Sequence, residues 1–122
     1  MALHQSGEDY LEAILVLKER KGSVRSIDVA QYLGFSKPSI SRAVAILRSG
    51  GYITMEQDGR LELTQAGELV AREIYERHQF LTDWLIRLGV SPETAAEDAC
   101  KIEHHISPET FRCLKEHAEK SR

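Results

Sequence analysis

The apolar residues of this 122-residue chain recur at helical spacing over most of its length. In the first half, such stripes run through residues 7–21, 26–33 and 37–49, and a glycine follows each of them. Apolar residues three and four positions apart, closed by glycine, predict three amphipathic helices. We expect Ser26 to cap the second helix and Ser36 to cap the third, with Pro38 in the first turn.

The pattern changes briefly after the third helix. Residues 52–55 and 61–63 are short, mainly apolar segments on either side of the polar sequence Glu56-Gln57-Asp58-Gly59-Arg60, which predicts a β-hairpin with an Asp-Gly turn. Helical spacing then returns in three segments, from a Thr64 cap to about Leu88, from Ser91 to about Ile106, and from Ser107 toward the tail. This order predicts a mainly α protein, with a winged helix–turn–helix DNA-binding domain in residues 1–63 and a helical domain in residues 64–122.

The charge distribution supports that division. The whole chain carries a net charge of −3, but residues 18–60 carry eight cations and only four anions. A basic segment over the predicted helix–turn–helix indicates a polyanionic partner. With 42 % hydrophobic and 29 % charged residues, the composition is that of a soluble globular protein without a membrane span. Two cysteines and no visible signal peptide favour a reducing, cytoplasmic location.

The start of the predicted third helix is the candidate DNA-reading surface. In a helix–turn–helix, the second helix enters the major groove with its first residues foremost. Arg42 is suited to a bidentate contact with guanine, and Arg60 on the hairpin to the minor groove or the backbone. Each residue alone also fits a solvated helix start, but the order of elements favours double-stranded DNA. The candidates are Ser36, Lys37, Pro38, Ser39, Ser41, Arg42 and Arg60.

Metal-ligating residue types recur in the second half. Cys100, Glu103 and His104 are three and four positions apart in the predicted fifth helix, so they share a face. Sulfur, oxygen and nitrogen donors together suit a borderline divalent transition metal. By themselves these residues fit a buried cysteine beside solvated polar groups equally well. In the first helix, Asp9 and Glu12 form a carboxylate pair one turn apart.

Five short motifs are distributed along nearly the whole chain: Glu8-Asp9-Tyr10-Leu11-Glu12, Ser36-x-Pro38-Ser39-x-Ser41, Leu63-Thr64-x-x-Gly67, Arg77-His78 and Cys100-x-x-Glu103-His104. Together they resemble the metal-dependent bacterial repressors typified by the diphtheria toxin repressor and the manganese transport regulator. The resemblance implies a homodimer that binds a palindromic operator when a divalent metal is bound and represses genes for metal uptake. It also implies that residues 64–122 bind the metal and dimerise.

The same resemblance implies a ligand set, which in the manganese branch usually holds a two-ion cluster. The matching residues are Asp9, Glu12, His78, Glu103 and His104, to which we add Cys100. The manganese branch usually has glutamate in place of Cys100, whereas the iron branch has cysteine there but methionine in place of Asp9. Two ancillary ligands of the iron branch fall on Ala96 and Thr82, so we expect that second site to be absent.

The hybrid ligand set leaves several metals open. Carboxylates favour Mn(II), while a thiolate softens the site toward Fe(II), Co(II) or Zn(II), so we expect Mn(II) or Fe(II) first. The chain is expected to be a short member without the SH3-like third domain, and not an enzyme or a binder of organic substrates. Two alternatives stay open: a winged-helix regulator of another effector class with a structural Cys/His/Glu cluster, and a small metal-dependent hydrolase that uses a bound water.

Overall fold

The computed structural model describes residues 5–120, so the first four and last two residues of the two predicted domains lie outside the described range. Within it, the chain is mainly helical, as predicted. Six helices and two strands follow in the order α1 (Gln5–Lys21), α2 (Ser26–Leu33), α3 (Lys37–Ser49), β1 (Ile53–Met55), β2 (Leu61–Leu63), α4 (Gln65–Arg87), α5 (Pro92–Ile102) and α6 (Pro108–Lys120).

The chain forms two compact units, one up to Arg72 and one from Glu73, with the boundary inside α4. In the first unit, α1 packs against α2, α3 and β2. Apolar residues on more than one side of α1 are buried, as expected for a helix enclosed by others. These residues are Leu11, Ala13, Ile14, Leu15 and Leu17.

The hairpin after α3 is a small antiparallel wing in which Ile53 pairs with Leu63 and Met55 with Leu61. A third segment extends it, because the Leu61 N–H donates to the Val24 carbonyl at 2.7 Å and Arg25 bridges to Arg60. The sequence pattern did not predict this pairing.

The same pairing corrects the expected start of α2. Ser26 is the first helical residue rather than the cap, and the extended Arg25 stands at the cap position. The Arg25 N–H donates to the Asp28 carboxylate at 2.8 Å, which is one half of a capping box. The Lys21 ammonium, which bonds Asp28, and then the Arg25 N–H hold the pKa of Asp28 below its usual value.

The wing is tied to the start of α4 by Thr64, whose predicted capping role is confirmed. Its hydroxyl accepts the Gly67 N–H at 3.2 Å and donates to the Gly51 carbonyl at 2.6 Å. Gly67 sits so close to the wing that an added Cβ would lie 2.0 Å from the Tyr52 carbonyl oxygen. Glycine is therefore required at this contact, because any side chain would separate the helix from the hairpin.

The second unit contains the rest of α4 together with α5 and α6. Hydroxyls of Ser91 and Ser107 accept the N–H groups of Thr94 and Thr110 and so cap α5 and α6. Phe80 stacks on Trp84 with ring centroids 5.9 Å apart. It also meets the Phe111 ring edge-on at 5.5 Å. No helix between residues 5 and 120 is long and apolar enough to cross a membrane.

Candidate metal centre and nucleic-acid interface

The three clustered donors of the second unit lie together, although two of them lie beyond the helix that was predicted to carry all three. Cys100, Glu103 and His104 each offer a ligand atom within 4.8 Å of the others. However, α5 ends at Ile102 rather than near Ile106, so Glu103 and His104 lie in the turn that follows the helix. Glu103 keeps helical backbone angles, and its N–H still donates to the Ala99 carbonyl at 2.9 Å.

Glu103 is the centre of this cluster and is completely buried, with 0 % of its surface exposed. One carboxylate oxygen, Oε2, lies 2.8 Å from Nδ1 of His78, which reaches it from α4. The other, Oε1, lies 3.3 Å from Nε2 of His104, whose side chain is 1 % exposed. Among the described residues, no group makes a hydrogen bond of acceptable geometry to Oε1.

Arg77 holds the turn that follows α5. Its buried guanidinium donates through one nitrogen to the carbonyl oxygens of Glu103, at 3.0 Å, and of Ile106, at 2.8 Å. The other terminal nitrogen donates to Glu73 at 2.9 Å, and the guanidinium carbon lies 5.5 Å from the centre of the Phe111 ring. Carbonyls at a helix end need donors, and Arg77 supplies them from α4.

The remaining predicted ligands belong to α1 in the first unit. Asp9 and Glu12 lie three residues apart on that helix and are both half-buried. Residues three positions apart lie on the same side of a helix, so both side chains extend from one face of α1. Carboxylate oxygens are common ligands of divalent cations. The residues beside Asp9 and Glu12 in the chain, Tyr10, Leu11 and Ala13, are buried.

The donor set of the second unit fits a divalent transition metal. A wholly buried carboxylate is costly unless it is paired, and a hydrogen bond to one oxygen satisfies only part of it. A thiol, a carboxylate and imidazoles are the ligands that borderline metals share. The oxygen of Glu103 without a hydrogen bond, beside the Cys100 sulfur and the His104 ring, is where a cation would compensate the buried charge.

The predicted DNA-reading residues form a different kind of surface. Ser36 caps α3 as predicted, accepting the Ser39 N–H at 3.3 Å, and its hydroxyl also bonds the Ser39 hydroxyl at 3.0 Å. The start of α3 is open to solvent, and these residues are exposed: Ser36, Lys37, Pro38, Ser39, Ser41 and Arg42. A capped helix start with exposed hydroxyls and cations is suited to contacts with phosphates and base edges.

Arg60 is exposed in the wing and held in place by Asp58. Its backbone N–H and its Nε donate to the Asp58 carboxylate, the latter at 2.8 Å. These two bonds hold the pKa of Asp58 below its usual value. Arg25, at 4.0 Å from the same carboxylate, adds a second cation at the base of the wing.

A winged helix–turn–helix and a helical unit with a Cys–Glu–His cluster around a buried glutamate define a metal-responsive transcriptional regulator. Residues 2–61 match the family model described as the N-terminal DNA binding domain of the iron dependent repressor. Residues 64–121 match its metal binding and dimerisation domain. The chain belongs to the iron-dependent repressor family, which consists of metal-dependent transcriptional regulators rather than enzymes.

Individual relatives agree with this assignment. The chain is 43 % identical over 104 residues to transcriptional regulator MntR of Salmonella typhimurium, an alignment covering 85 % of this chain and 66 % of that protein. It is 33 % identical to the HTH-type transcriptional regulator MJ0568 of Methanocaldococcus jannaschii, covering 97 % and 96 %. Among solved structures, T. acidophilum IdeR matches with a TM-score of 0.81 at 25 % identity, covering 98 % of this chain and 55 % of that one.

Proposed function

We propose that this chain is a metal-dependent repressor that binds a palindromic operator as a homodimer when a divalent metal occupies its ligand cluster. Its targets would be genes for metal uptake, and it would act in the cytoplasm. The observation that carries the proposal is the fully buried Glu103, whose oxygen Oε1 has no hydrogen bond among the described residues while His104 and Cys100 lie beside it.

The proposed ligand set combines the two units. His78, Cys100, Glu103 and His104 supply nitrogen, sulfur and oxygen donors from the second unit, and we propose that Asp9 and Glu12 on α1 complete the shell. The half-buried position of both carboxylates and the matching motifs of the family support this assignment. Metal would then tie α1 to the second unit and fix the geometry in which the DNA-binding units are presented. Fixing that geometry in advance lowers the cost of binding the operator.

We assign the two parts of this function to the two predicted domains. We assign DNA binding to residues 1–63, and metal binding and dimerisation to residues 64–122. The two family models match 2–61 and 64–121, which supports this division. The description of the family model that matches residues 64–121, a metal binding and dimerisation domain, supports a dimer. Ile86, Leu88 and Ile102 are exposed on this unit, although large apolar side chains such as Ile46 and Leu69 are exposed on the first unit as well. Sedimentation should show a dimer at micromolar concentration with metal present.

Selection from a random double-stranded DNA library tests the regulatory function directly. With Mn(II) present, we expect the protein to enrich a palindromic sequence; with a chelator in its place, we expect no enrichment. The Glu103→Gln variant should enrich nothing under either condition. Enrichment of the same sequence with and without metal would favour a winged-helix regulator of another effector class.

Co(II) tests whether Cys100 is a ligand. A cobalt–thiolate bond gives a charge-transfer band in the near ultraviolet, so we expect this band in the wild-type protein and not in Cys100→Ser. The exposed Cys113 provides the control, because Cys113→Ser should keep the band. Cys100→Glu should shift preference toward Mn(II), since a harder ligand favours a harder metal. Identical cobalt spectra for the wild type and Cys100→Ser would leave a site with nitrogen and oxygen ligands alone.

A further inference from the structure

The turn that carries Glu103 and His104 is held by one side chain from another helix. Arg77 is 6 % exposed, and one of its guanidinium nitrogens bonds the carbonyl oxygens of both Glu103 and Ile106. These two carbonyls bracket His104. The backbone on both sides of the cluster's imidazole is therefore fixed to α4, the helix that also supplies His78.

Two further contacts fix the guanidinium itself. Glu73, one turn earlier on α4, accepts from its other terminal nitrogen at 2.9 Å, and the Phe111 ring of α6 lies 5.5 Å from its central carbon. A planar fork with several donors can serve two carbonyls and a carboxylate at once, which a lysine ammonium cannot do with the same geometry. Its place in the sequence, next to His78, means that a single turn of α4 carries both a candidate ligand and this clamp.

We propose that Arg77 is a positioning residue for the metal centre: by holding the Glu103 and Ile106 carbonyls, it sets Glu103 and His104 in the arrangement that binds metal. This inference rests on the proposed metal-binding function. Groups that orient ligands without touching the metal commonly change metal affinity by about 10- to 100-fold when they are replaced. Arg77 differs from a purely structural buried arginine because both of its carbonyl partners lie in or beside the ligand-bearing turn.

Metal titration of a matched set of variants tests the inference. Arg77→Lys keeps the positive charge but loses the fork, and we expect its Mn(II) dissociation constant, measured by the electron paramagnetic resonance signal of free Mn(II), to rise about tenfold. Its Co(II) absorption spectrum should also change. Glu73→Gln removes the ion pair but keeps an amide oxygen that can accept the Arg77 bond and leaves the bonds to the carbonyls, so this control should bind Mn(II) like the wild type. Arg77→Met should weaken binding at least as much as Arg77→Lys.

Weaker metal binding caused by a less stable protein must be distinguished from weaker binding caused by misplaced ligands. The variants are compared at a temperature where circular dichroism shows each metal-free protein to be folded. If Arg77→Met does not fold, the Mn(II) affinity and cobalt spectrum of Arg77→Lys alone test the inference. Wild-type Mn(II) affinity and an unchanged cobalt spectrum in Arg77→Lys would overturn the inference, even with a lowered melting temperature. Equal weakening in Glu73→Gln would also overturn it. Failure of the wild-type protein to bind Mn(II) or Co(II) would instead contradict the proposed function.

Discussion

The predicted DNA-reading residues of the first unit and the predicted metal ligands of the second differ sharply in their contact with water. The start of α3 from Ser36 to Ser39 is exposed, whereas Glu103 is 0 % exposed and the His104 side chain only 1 %. An exposed residue can contact a ligand and contribute little to the free energy of unfolding. A buried charge changes that free energy directly, because its burial must be compensated by a partner. Metal binding and stability should therefore be coupled, and DNA contacts and stability should not.

The largest test of this contrast is Glu103→Gln. At a metal concentration a hundred times the dissociation constant, the wild-type protein should be stabilised by about 2.7 kcal/mol, and this increase should be mostly lost in the variant. Without metal, the melting temperature should not fall, because the amide keeps the shape and removes a buried charge. Thermal melts with Mn(II) and with a chelator measure both values.

The exposed Glu109 on α6 serves as the control, since Glu109→Gln makes the same chemical change outside the cluster. It should keep the full metal-induced increase in melting temperature. An equal increase in Glu103→Gln and the wild type would show that the buried carboxylate does not contribute to metal binding, and the contrast between the two regions would fail.

Arg42→Ala tests the exposed start of α3, where we expect DNA affinity to change without a change in stability. If Arg42 contacts a base, its loss should weaken binding to the selected DNA by about 1–3 kcal/mol and relax specificity at one position. Stability should change by no more than about 0.5 kcal/mol, as is usual for surface substitutions. Fluorescence anisotropy with the selected sequence and its single-base variants measures the affinity, and denaturant unfolding measures the stability.

Arg48→Ala is the matched control because it removes the same charge from the exposed end of the same helix. It should lower affinity similarly for every sequence, without relaxing specificity at one base. Full affinity and specificity in Arg42→Ala would remove Arg42 from the reading surface.

Asp28→Ala should have the smallest effect, a loss of about 1 kcal/mol of unfolding free energy near neutral pH, because the bond from the Arg25 N–H is lost. The folded state lowers the pKa of Asp28, so its contribution is complete above the ordinary carboxyl value of about 3.9 and disappears as the pH falls through the lower folded value. Urea unfolding of the wild type and the variant should differ at neutral pH and converge in acid.

Asp83→Ala, on the exposed side of α4, removes a surface carboxylate away from the α2 cap and should leave stability nearly unchanged at both pH values. A difference between the wild type and Asp28→Ala that persists into strong acid would assign the effect to something other than the ionised cap.

The sequence predicted those parts of the fold that depend on neighbouring residues. Caps at Ser36 and Thr64 and the hairpin around Asp58-Gly59 follow from local spacing, and the structure confirms them. The structure also brings Cys100, Glu103 and His104 together, although Glu103 and His104 lie in the turn after α5 and not in the predicted longer helix. The DNA-contacting residues and the participation of Asp9 and Glu12 in the metal site stay predictions.

What the sequence pattern missed depends on contacts between distant positions. Arg77 holds the turn after α5 by bonding carbonyls 26 and 29 residues away, a contact that helical spacing cannot reveal, and the predicted helix extended into this turn. Ser26 does not have its expected role as the cap of α2, because Arg25 is held extended beside Arg60 of the wing and takes the cap position. The place of an arginine directly before the candidate ligand His78 was the one local signal in the sequence that could have pointed to Arg77.

Trp84, which stacks on Phe80, gives the second unit a fluorescence signal of its own. Trp84 is the single tryptophan of the chain, and it lies in the unit from Glu73 onward. Excitation at the red edge of the aromatic absorption, where tyrosine contributes little, therefore reports the surroundings of one side chain in that unit alone. Fluorescence and far-ultraviolet circular dichroism, recorded through the same unfolding transition, would reveal whether the two units melt together or one after the other.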